Sequence, residues 1–67
     1  MVRIKLFAKF REKFGDEMEI EAKTVGEILE KLGIEDAVVA VNLEVAHRDT
    51  PVDEGDEIAV MPRFSGG

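Results

Sequence analysis

The chain has 67 residues, with fifteen acidic and nine basic side chains, a net charge of −6 and no cysteine. That length supports one domain and no walled-off catalytic pocket, because a chain this short buries only about 60% of the surface it exposes when unfolded. The missing thiols exclude disulfide staples, thiolate zinc sites and a cysteine nucleophile, and the negative charge argues against nucleic acid and points either to basic protein surfaces as partners or simply to keeping a small domain in solution.

Residues 2–8 alternate, with Val2, Ile4, Leu6 and Ala8 on one side and Arg3, Lys5 and Phe7 on the other. Period two with one apolar side predicts a half-buried strand, and Phe7 falls on its polar side. The same alternation of charge lacks the continuous apolar stretch of a signal peptide. No apolar run approaches the roughly 20 residues that cross a bilayer. A cytoplasmic location and no membrane partner are therefore expected.

Phe10 and Phe14, four apart, predict one helical turn or a wide loop that turns both rings to the core. Gly15-Asp16 reads as a turn. A second alternating strand follows, with Met18, Ile20 and Ala22 inward and Glu17, Glu19 and Glu21 outward, so the first two strands are expected to form an antiparallel hairpin.

Thr24-Val25-Gly26-Glu27 is a capping box: the threonine hydroxyl accepts from an amide three residues on while the glutamate reaches back. Behind it Val25, Ile28, Leu29 and Leu32 form the stripe of an amphipathic helix over 25–32. Gly33 stands where a left-handed cap belongs, with Ile34 as its apolar companion.

Residues 38–41 are continuously apolar and predict a central strand buried on both faces. Residues 42–44 turn the chain, and 45–47 form a brief strand. Asp49-Thr50-Pro51 and Asp53-Glu54-Gly55-Asp56 are turn chemistry. The last strand covers 57–61, with Ile58 and Val60 inward and Ala59 and Met61 outward. Pro62, with no amide to donate, ends it. The domain is thus placed at 1–62 and a tail at 63–67. The fold class is α+β: a roll with a mixed sheet of four to five strands, one main helix and a flexible Gly-Gly tail. The first and last strands pair in parallel only if they lie side by side at its centre.

In the tail, Ser65-Gly66-Gly67 carries nothing larger than a hydroxyl, so it is thin, and five extended residues reach about 17 Å. A carboxylate is a poor acyl donor until adenylated, and no Cβ obstructs the glycine carbonyl. Simple fraying of a terminus gives the same composition.

The ordered stretches decide between these readings. Ile4-Lys5-Leu6-Phe7-Ala8 with Arg11-Glu12, Thr24-Val25-Gly26, Val39-Ala40-Val41-Asn42, and Asp49-Thr50-Pro51 leading to Gly55-Asp56-Glu57-Ile58-Ala59, Pro62 and Ser65-Gly66-Gly67 resemble the small subunit of molybdopterin synthase along nearly the whole chain. The resemblance implies a ubiquitin-like β-grasp fold and a sulfur carrier inactive on its own. An adenylating partner related to ubiquitin activators uses ATP to charge Gly67, behind Gly66, and the chain itself binds no cofactor. A persulfide donor then gives a thiocarboxylate, which the large synthase subunit spends on forming the molybdenum or tungsten dithiolene.

It also implies a docking patch at Phe7, Val45 and Met61, with Pro62, Arg63, Phe64 and Ser65 leading the tail into the partner. Where the synthase subunits more often carry two prolines and a small aliphatic residue, this tail has Arg63 and Phe64. There it resembles thiamine-pathway sulfur carriers and small archaeal modifiers, which conjugate to protein lysines. Three recipients of the activated Gly67 therefore stay open.

His47 stands alone, so a metal ion would have only carboxylates to join it, and no metal site is expected. The acidic residues 53–57 either meet a basic partner or are a solvated turn.

Overall fold

A computed structural model describes residues 1–63. Phe64, Ser65, Gly66 and Gly67, and with them the expected flexible tail beyond Arg63, lie outside the described residues.

Strand β1 (Val2–Leu6) alternates as its sequence predicts, with Val2, Ile4 and Leu6 at 1%, 0% and 2% exposure. It ends two residues before the apolar pattern does. The Phe7 amide still donates to the Val60 carbonyl at 3.1 Å, but Ala8 turns to φ 53°, ψ −129° and is exposed rather than inward. That turn starts a short helix, α1 (Lys9–Phe14), whose Arg11 and Glu12 amides both donate to the Ala8 carbonyl. Phe10 is buried and Phe14 packs half-buried against the same core. Gly15, at φ 98°, reverses the chain into β2 (Glu17–Ile20). The expected hairpin forms, with Val2 opposite Ile20 and Ile4 opposite Met18.

The capping box closes α2 (Val25–Leu32) from the Thr24 side: its Oγ1 accepts the Glu27 amide at 3.2 Å. The returning Glu27 carboxylate takes the Lys23 amide at 2.8 Å, one residue ahead of the cap. Two further amides of the first turn are satisfied from outside the helix. Val25 donates to the Thr50 carbonyl and Gly26 to the Arg48 carbonyl, at 3.0 and 2.8 Å. A Cβ on Gly26 would stand 3.2 Å from that Arg48 oxygen, a tight contact that would push the loop back by a few tenths of an ångström. At the other end Gly33 (φ 70°) and Ile34 donate to the Glu30 and Leu29 carbonyls, the paired bonds of a Schellman cap.

Strands β3 (Ala37–Val41), β4 (Glu44–Ala46) and β5 (Glu57–Pro62) complete a five-stranded sheet in the order β2-β1-β5-β3-β4. The terminal strands β1 and β5 are parallel neighbours, Ile4 beside Ile58 and Leu6 beside Val60. They occupy the middle because they carry the most deeply buried residues of the sheet. Two expectations are corrected here. β3 is not buried on both faces: only Val39 is buried, while Val38 and Ala40 on the opposite face are half-exposed. The turn into β4 takes only Asn42 and Leu43, both at positive φ (52° and 71°), so Glu44 is already in the strand and His47 is outside it. A two-residue turn of that kind matches the twist of the strands it joins.

The core lies between the sheet and α2. Ile4, Ile28, Ile58, Val2, Val25 and Val60 are its most completely buried large side chains. Burying each contributes about 1.5–3 kcal/mol. Both helices cover this one side. No described helix is long and apolar enough to cross a membrane.

Candidate functional site

Among the described residues no helix covers the other side of the sheet, and its composition changes across the strands. Cross-strand register brings Phe7, Met61 and Val38 into one row: Leu6 pairs with Val60, which sets Phe7 beside Met61, and Met61 pairs with Val38. The next row runs Val45, Ala40, Ala59 and Lys5. Phe7 and Val45 are 44% and 76% exposed. Met61, Val38, Ala40 and Ala59 are half-buried. The three patch residues inferred from sequence therefore share one face, and the structure adds Val38, Ala40 and Ala59 to them.

Reading residues 38–41 as doubly buried hid Val38 and Ala40. An apolar residue facing open solvent looks like a core residue in the sequence, and only the register separates the two.

Toward β2 the same face becomes charged. Arg3 lies between Glu19 and Glu57, and Lys5 stands opposite Glu17 with its Nζ 3.7 Å from Glu57 Oε1. Each cation is thus flanked by carboxylates, an arrangement that favours cross-strand pairing.

The root of the tail leaves from the apolar half. Backbone groups of even-numbered β5 residues point toward β1, since Val60 accepts the Phe7 amide, while the Glu57 carbonyl accepts Asn42 beyond β3. The amide that Pro62 lacks would, in the parallel register, face the Phe7 carbonyl, which already accepts the Phe10 amide at 3.1 Å, so proline is tolerated there. Arg63 follows, exposed, its Nε donating to Asp36 Oδ1 at 2.6 Å.

The acidic residues 53–57 are largely engaged within the chain. Asp56 Oδ1 accepts from Asn42 Nδ2 at 3.0 Å, and Asp56 Oδ2 accepts the Asp53 amide at 2.8 Å. The Asn42 bond first, and the Asp53 bond second, hold the Asp56 carboxyl below its ordinary range. Glu57 pairs with Lys5, and Glu54 with the N-terminal amine. His47 is exposed, and among the described residues no group of three or more His, Asp or Glu side chains is placed to hold a metal ion.

The open apolar face thus adjoins Arg63, where the described residues end. Residues 4–67, tail included, match the model of the ThiS family. The chain belongs to the ThiS family. No curated protein matches it by sequence.

Among solved structures, this ThiS-family chain is similar to a Pyrococcus furiosus protein assigned as molybdopterin converting factor subunit 1 (30% identity, TM-score 0.76, 94% of this chain and 97% of that one). It is also similar to SAMP1 from Haloferax volcanii (26% identity, TM-score 0.71, 98% of both chains). A complex of subunits 1 and 2 of the molybdopterin-converting factor from Helicobacter pylori matches at 23% identity, with TM-score 0.68 over 98% and 97% of the chains. At that identity it speaks for the fold, which is the β-grasp roll. The ThiS-family chain is a ubiquitin-like sulfur carrier or modifier.

Proposed function

We infer that this protein carries sulfur on its C-terminal glycine for assembly of the molybdopterin dithiolene. The observation that carries the reading is the family match running through Ser65-Gly66-Gly67, together with an apolar face at the root of that segment. The Gly67 carboxylate attacks the α-phosphate of ATP in an adenylating partner, and pyrophosphate leaves. The terminal sulfur of a persulfide donor then displaces AMP to give an acyl disulfide, and a thiol reductant attacks the donor-side sulfur, releasing the thiocarboxylate and leaving a disulfide between donor and reductant. Glycine suits both displacements, because nothing beyond hydrogen crowds the carbonyl.

ATP binds to the partner, and this chain supplies the acyl group and the docking surface. Phe7, Val45 and Met61 on the open face meet the partner. Pro62, Arg63, Phe64 and Ser65 lead Gly66 and Gly67 into its cleft. The large subunit of a molybdopterin-converting factor is the proposed acceptor complex, in keeping with the Helicobacter pylori pair.

The similarity to SAMP1 supports a second reading, in which the same activated Gly67 is attacked by a lysine amine and joined to proteins. A third acceptor, thiazole synthesis for thiamine, uses the same thiocarboxylate. Mass spectrometry of cells expressing the chain separates them. Carriage predicts an intact chain in which sulfur has replaced one oxygen, whose loss makes molybdenum-cofactor enzymes fail while thiamine synthesis continues. Lysines bearing the Gly67 end, with no thiocarboxylate form, contradict it in favour of conjugation.

A further inference from the structure

A side-chain contact continues the β3–β5 register one position past the paired strands. Met61 pairs with Val38 and Pro62 with Ala37, so the next opposed positions are Arg63 and Asp36. These two residues are joined by the 2.6 Å contact between Arg63 Nε and Asp36 Oδ1. By the alternation that puts Met61 and Val38 on the open face, the ion pair lies on that face too, at the rim of the apolar patch.

We propose that Asp36 is a positioning residue: by pairing with Arg63 it fixes the direction in which the tail leaves the sheet and keeps it on the docking face. This rests on the carrier reading above and adds a residue to it. Pro62 just before leaves the strand end without a ladder bond on its β1 side, and on the β3 side the charge pair ties Arg63 to Asp36. An extra cross-strand contact at that point narrows the volume the tail must search before it enters a partner's cleft. Both side chains are about two-thirds exposed (64% and 67%). A pair of that exposure shifts an equilibrium by roughly 1.4- to 5-fold at low salt and less at high salt.

Two measurements on the full chain test this. The first needs no partner: the NMR order parameter of the backbone amide at position 63. Asp36→Ala lowers it, high salt lowers it in the wild type alone, and the exchanged pair Asp36→Arg with Arg63→Asp restores it. An order parameter that does not respond to Asp36→Ala overturns the proposal. The second uses an adenylating enzyme that charges the wild-type chain. Asp36→Ala raises the KM for the carrier up to about fivefold with kcat unchanged, and the exchanged pair recovers the wild-type KM. If Asp36→Ala is silent and the exchange stays defective, Arg63 acts by touching the partner and the proposal fails. Should no such enzyme charge the wild type, the carrier reading fails, while the first measurement still decides the pairing.

Discussion

Asn42 and Asp56 join two turns that lie fourteen residues apart in sequence, through a 3.0 Å bond from Asn42 Nδ2 to Asp56 Oδ1. Asn42 Oδ1 at the same time accepts the Glu57 amide at 3.0 Å, so one side chain ties the β3–β4 turn to the start of β5. The bond favours the ionised carboxylate and holds Asp56 below its ordinary pKa. A carboxyl depressed in the folded state contributes stability above the unfolded value, and loses it as pH falls through the folded one. Asp56→Asn should therefore be less stable than the wild type at neutral pH. The difference should vanish in acid below the carboxylate range. Urea midpoints of both proteins across that range provide the check, and a gap independent of pH would contradict the assignment.

Leu43 occupies the second turn position at φ 71° with 89% of its surface exposed. A side chain in the left-handed region costs about 1–2 kcal/mol, of which glycine's greater freedom when unfolded takes back about half. Leu43→Gly should raise stability by about 0.5–1 kcal/mol in thermal unfolding. Gly33→Ala, at φ 70° in the cap of α2, should do the reverse and cost about 1 kcal/mol.

The two faces of the sheet should separate in mutagenesis. Ile58, fully buried in the centre, loses about 2–5 kcal/mol of stability on truncation to alanine. Val45→Asp on the open face should change stability by no more than about 0.5 kcal/mol, yet weaken charging by the adenylating partner tenfold or more, on the order of an interface anchor. Chemical denaturation and a pyrophosphate-release assay on the same preparations distinguish the effects. A Val45→Asp protein that is charged normally removes Val45 from the docking surface.

The parts of this fold that repeat a simple period were legible in the sequence. The 25–32 helix was, because box, stripe and left-handed cap all agree. So was the β1–β2 hairpin, because its outward side is charged. Ala8 was not: it continues an apolar alternation, and only its positive φ shows that the chain has left the sheet. Residues 38–41 misled because their second face is apolar yet open, so the signature of a doubly buried strand and that of an exposed apolar face coincide. Asp36 gave no sequence signal at all, since its pairing with Arg63 follows from register across 27 residues.

The central claim is that Gly67 is the reactive end of a carrier. Incubating the full chain with ATP, an adenylating enzyme of this family's partners, a persulfide donor and a thiol reductant, then weighing the intact protein, tests it most directly. The wild type should gain sulfur in place of one oxygen. A chain lacking Gly67 should stay unmodified while melting at the same temperature. A truncated chain that takes up sulfur as well as the wild type would contradict the account.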